Sequence, residues 1–62
     1  MNDEKLITGD LIEFEGRKGL VSFYYSENHI TVYFPERDQE SIHTRGQLKL
    51  IDYSPGRKYG LL

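Results

Sequence analysis

The chain has 62 residues, with 8 lysines and arginines against 10 aspartates and glutamates, a formal charge of −2 and no cysteine. That length predicts one domain with a modest core, and the absence of cysteine excludes disulfides and thiolate metal sites. Without an overall positive excess, binding to phosphates has to come from a local basic patch.

No apolar run is long enough to span a bilayer or to form the core of a signal peptide, so the expectation is a cytoplasmic protein with no membrane contact. Residues 1–7 read as an N-terminal arm. Its first five positions are polar and frayed, and Leu6 and Ile7 cover one end of the core. Residues 8–52 hold the alternating pattern of a β domain, and residues 53–62 form a C-terminal tail.

Thr8-Gly9-Asp10 turns the chain into a first strand, Leu11 to Glu15. There Ile12 and Phe14 alternate with Glu13 and Glu15, the period of two that buries one face. Gly16-Arg17-Lys18-Gly19 reads as a glycine-bounded turn that places two cations at its tip. Leu20 to Tyr25 and Ile30 to Phe34 form the next two strands. Setting Tyr25 opposite Ile30 puts Phe23 opposite Val32 and Val21 opposite Phe34, all facing inward. Leu20, Ser22, Tyr24, Thr31 and Tyr33 then face outward. Asn28 is the loop residue suited to a left-handed conformation.

Pro35 to Asp38 is a turn. Glu40 to His43 has one aliphatic residue, Ile42, and reads as an edge strand. Thr44-Arg45-Gly46 is short enough for a 3-10 turn, and Gln47 to Ile51 is the last strand. Ser54-Pro55-Gly56 is a strong turn signal. The residues after it are either an ordered extension that packs Tyr59 and Leu61 or a loose tail. The predicted fold is thus all-β, a small five-stranded antiparallel SH3-like barrel with a 3-10 turn before the last strand. Its expected core is Ile12, Phe14, Val21, Phe23, Ile30, Val32, Phe34, Ile42 and Leu48.

Three segments carry a family resemblance: Gly9-Asp10-Leu11-Ile12-Glu13-Phe14, Gly16-Arg17-Lys18-Gly19-Leu20-Val21, and Ile30-Thr31-Val32-Tyr33-Phe34. Together they resemble the KOW motif of transcription-elongation and ribosomal proteins. Arg37, with Ser41 through Leu48, is similar to the closing strands of the NusG-type KOW barrel. The opening also resembles small bacterial KOW-like proteins of the YkvS-like group. The likeness spans about residues 8 to 51. It implies a non-enzymatic module that contacts RNA or a ribonucleoprotein, although the KOW loop is here reduced to Arg17-Lys18.

For nucleic acid, the candidate residues are Arg17, Lys18, Arg45, Lys49, Arg57 and Lys58. Arg17 and Lys18 form either a phosphate-contacting loop or a solvated hairpin tip. For a protein partner, the candidates are Tyr24, Tyr33 and Tyr53, since exposed tyrosines anchor partners or stack bases. The alternative function is therefore a protein–protein adaptor. His29 and His43 lack a third ligand at metal spacing and read as exposed loop and edge residues. No Ser-His-Asp grouping or nucleotide loop is present. Glu13 and Glu15 point the same way but need a cleft to do acid–base work. No catalytic residue, metal, cofactor or small-molecule substrate is expected.

Overall fold

The computed structural model describes residues 4–60. The strands are β1 (Leu11–Phe14), β2 (Arg17–Ser26), β3 (His29–Phe34), β4 (Gln39–His43) and β5 (Lys49–Asp52). A 3-10 turn (Arg45–Gln47) precedes β5, and a four-residue helix α1 (Pro55–Lys58) follows it. The five strands form one antiparallel sheet in the order β4-β3-β2-β1-β5. The expected all-β architecture, with its 3-10 turn before the last strand, is present. The sheet is open, with β4 and β5 as its two edges.

The first hairpin turns at Glu15-Gly16, with φ of 51° and 81°. Two consecutive left-handed residues match the twist of the flanking strands. Arg17 and Lys18 are therefore strand residues and not a loop tip: Arg17 pairs with Phe14 and Lys18 with Glu13. Gly19 lies inside β2, because a Cβ there would come 2.7 Å from Val32 Cγ1 and 2.9 Å from the Phe34 ring. In the second hairpin Asn28 is not left-handed. Asp38, at φ 51°, takes that conformation in the next turn.

The expected register of β2 and β3 is overturned. Val21 pairs with Val32, Phe23 with Thr31, Tyr24 with Ile30 and Ser26 with His29. Ser22 and Tyr25 are extra residues, so the strand bulges twice. The first bulge exchanges the faces beyond it, turning Tyr24 toward the core and Phe23 outward. Ser22 is held by Thr31, its Oγ donating to Oγ1 at 2.8 Å, and Thr8 Oγ1 donates to the Ser22 carbonyl at 3.2 Å.

The buried core is Leu6, Ile12, Val21, Ile30, Val32, Phe34 and Leu48, with Phe14, Tyr24 and Leu50 packed against it. Two expected core members, Phe23 and Ile42, lie outside it at 49% and 60% exposure. Ile42 faces outward because Ser41 and His43 take the inner positions of β4, opposite Val32 and Ile30. His43 is buried and not an exposed edge residue. Its ring lies 4.3 Å from that of Phe14 and 5.8 Å from that of Phe34, and its Nε2 is 2.6 Å from Ser41 Oγ.

A polar clasp joins the two ends of the domain. Asp10 is fully buried. It accepts hydrogen bonds from the backbone of Ile7 (3.0 Å) and Ser54 (2.7 Å), and from Arg57 Nη2 (2.6 Å). The Ser54 side chain accepts from Arg57 N and caps α1. The C-terminal segment is thus an ordered extension. It is fastened by Arg57 and not by Tyr59, which is exposed. Glu4 is likewise held, its carbonyl accepting from Arg45 Nε at 2.7 Å. The expectations for residues 1–3 and Leu61 lie outside the described residues.

Candidate binding surface

Strand pairing places side chains in rows across the outer face, because directly opposed residues share a face. One row runs Asp52, Leu11, Leu20, Tyr33, Glu40. Toward the Glu15-Gly16 turn, a second row runs Lys49, Glu13, Lys18. Toward the β2–β3 turn, a third runs Phe23, Thr31, Ile42.

The six candidate cations do not meet in one patch. Arg45 is buried, donating from Nε to the Glu4 carbonyl and from Nη1 to the Leu48 carbonyl, each at 2.7 Å. Arg57 is committed to Asp10, with Glu4 Oε2 3.6 Å away and the Tyr53 ring 4.5 Å beneath its guanidinium. Lys58 pairs with Asp52 at 3.0 Å. That hydrogen bond, followed by one from the Tyr53 amide, holds the Asp52 carboxyl below its ordinary range. Lys18 and Lys49 are exposed but flank Glu13. Arg17, at the start of β2, is exposed and joins no ion pair among the described residues.

Nor do the three candidate tyrosines share a face. Tyr24 packs on the core side, with Lys5 Nζ 5.5 Å from its ring centroid. Tyr33 faces outward, its hydroxyl donating to Asp38 Oδ1 at 2.6 Å. That bond raises the phenol above its ordinary pKa, helped by desolvation and the negative charges of Asp38 and Glu40. Tyr53 belongs to the clasp, its hydroxyl donating to Glu4 Oε1 at 3.2 Å.

A different aromatic group is exposed. The rings of Phe23 and Tyr25 lie 4.3 Å apart at 55°, and those of Tyr25 and His29 lie 4.5 Å apart at 47°. Tyr25 is 65% exposed. Ile42 continues the same side of the sheet through Thr31. The sequence did carry a signal for this group. Phe23-Tyr24-Tyr25 places three aromatics in succession, and a strand cannot turn all of them inward. Alternation alone does not identify which one a bulge will move.

A shallow polar hollow is lined by Glu27, Asn28, Thr44, Arg45 and Gly46. Among the described residues, no three His, Cys, Asp or Glu side chains are grouped to hold a metal ion, and no helix is long and apolar enough to cross a membrane. Comparisons of the chain with protein-family models, with curated proteins and with solved structures gave no match.

Proposed function

We propose that the chain is a non-enzymatic binding module that docks a protein partner on the outer face of β2–β4. The observation behind this reading is the exposed ring series Phe23, Tyr25 and His29 beside Ile42. Aromatic side chains supply large contact area at low entropic cost, and a few such residues dominate most interfaces. The placement of charge favours a protein over RNA. Arg45 and Arg57 are engaged internally, Lys58 is paired, and Lys18 and Lys49 bracket a carboxylate. That leaves little uncompensated charge to displace counterions from a phosphate backbone. The KOW-like resemblance of residues 8 to 51 fits a binding module of either kind.

The test is affinity capture from lysate with the parent, a Phe23→Ala/Tyr25→Ala variant and an Arg17→Glu/Lys18→Glu variant, each with and without nuclease. The expected result is a protein partner retained after nuclease and lost in the aromatic variant. Truncating a central aromatic anchor should weaken binding by about 2 kcal/mol or more, roughly thirtyfold in Kd. Capture that disappears with nuclease and with the charge-reversed variant, while surviving loss of the rings, would overturn the proposal in favour of RNA.

A further inference from the structure

The two edges of the sheet are treated differently. Exposed edges template the addition of foreign strands, and proteins commonly block them with lysine, proline, bulges or a covering segment. β5 has two such devices. It carries Lys49, and its register with β1 shifts between Leu11 and Ile12. β4 has none of them. Gln39–His43 contains no lysine, arginine or proline and pairs with β3 in unbroken register over five residues. Four of those five residues are exposed. Among the described residues, no hydrogen bond apart from the ladder to β3 engages their backbone.

Resting on the protein-binding role proposed above, we infer that the β4 edge takes an extended, basic–apolar segment of the partner as a sixth strand. Main-chain pairing to an edge supplies affinity, and alternate side chains supply specificity. On the outer face, Ile42 brings the row of Phe23 and Thr31 to the edge, so the added strand continues that row with an aliphatic side chain. Two residues away on the same face stands Glu40, preceded in the turn by Glu36 and Asp38 against the single cation Arg37. A lysine or arginine beside Glu40 complements this charge, whereas an acidic residue there meets repulsion. The inferred occupant therefore carries, two positions apart on one face, a cation opposite Glu40 and an aliphatic residue opposite Ile42.

The probe is a capped nonapeptide of sequence Lys-Thr-Val-Thr-Lys-Thr-Val-Thr-Lys, which alternates lysine and valine along one face, titrated into the full chain while amide exchange and chemical shifts are followed by NMR. The expected result is slowed exchange and shifted resonances at amides of Gln39–His43. Both effects should vanish when alternate peptide nitrogens of the probe are methylated, which leaves its charge intact and removes its donors. Glu40→Lys should weaken the lysine peptide about two- to fivefold and strengthen its glutamate counterpart. Shifts confined to Phe23, Tyr25 and His29 would overturn strand addition and leave the aromatic docking surface standing. Equal binding of the methylated peptide, or no binding at millimolar peptide, would likewise overturn it. Protection of β4 that depends on protein concentration without peptide would assign the edge to a second copy and overturn the inferred occupant.

Discussion

In the β1–β2 hairpin, residues pair one for one from Leu11 with Leu20 to Phe14 with Arg17, whereas in the β2–β3 hairpin the pairing slips at Ser22 and again at Tyr25. Both hairpins are built from aliphatic and aromatic residues at alternating positions. In the first, alternation correctly places Ile12 in the core. In the second, it would bury Phe23 and expose Tyr24, and the reverse is found. An alternating pattern assigns faces only up to the first inserted residue, because one extra residue turns all that follow it. The exposed ring series is a product of that exchange. A sheet that kept its register would have spent Phe23 on the core.

The sharpest way to break this comparison is to truncate the two phenylalanines that alternation treats alike. Phe34→Ala should cost about 3–5 kcal/mol, since the ring is buried against Gly19. Phe23→Ala, at a half-exposed outer position, should cost under about 1 kcal/mol in denaturant unfolding. Equal losses would show that the bulge does not set the faces. Next in size is Asp10→Ala, which strips acceptors from two backbone amides and a partner from Arg57. A loss of about 3 kcal/mol is expected, at the low end for a broken buried pair because Arg57 keeps some access to water. A smaller effect, about 1–3 kcal/mol, is expected for Gly19→Ala, whose new methyl overlaps Val32 and Phe34. It should shrink in a Phe34→Ala background, where part of the obstruction is gone, and a double-mutant cycle measures the difference.

The smallest effects are in pH dependence, at Asp52 and Tyr33 of the row that crosses both hairpins. Asp52 has its folded pKa lowered by Lys58, so its contribution is present above the unfolded carboxyl pKa of about 3.9 and is lost as pH falls through the lower folded value. Asp52→Asn should flatten the acid limb of the stability curve. Tyr33 has its pKa raised by Asp38, so its contribution is complete below about pH 10 and is lost as pH rises through the higher folded value. Tyr33→Phe should flatten the alkaline limb. An unchanged limb in either variant would show that the hydrogen bond of that residue is not kept in solution.

The number and order of strands in the chain, the 3-10 turn and most of the core were legible because each rests on local chemistry. Gly16 marks a tight hairpin, Pro35 ends a strand, and Val21, Ile30 and Val32 alternate as a buried face requires. The rest depended on partners distant in sequence. Arg45 and Arg57 look like free cations until Glu4, Leu48 and Asp10 are brought beside them. His43 reads as an edge residue until Phe14 and Phe34 enclose it. The exposed ring series was hidden for the same reason, since Phe23 turns outward and Tyr24 inward beyond the bulge at Ser22, whose hydroxyl bonds to Thr31 across the hairpin.

The clasp that ties Asp10 to Arg57 also bears on how quickly the molecule forms and how long it lasts. Its bonds join residues 41, 44 and 47 positions apart in the chain. Hairpins close in about 1–10 μs, whereas all-β topologies held by such distant contacts fold in milliseconds to seconds. Contacts made after the rate-limiting step leave the folding rate nearly unchanged and slow unfolding instead. If the guanidinium of Arg57 seats on Asp10 after that step, it acts as a brake on opening, and Arg57→Ala should then shorten the lifetime of the folded state while leaving the folding rate unchanged.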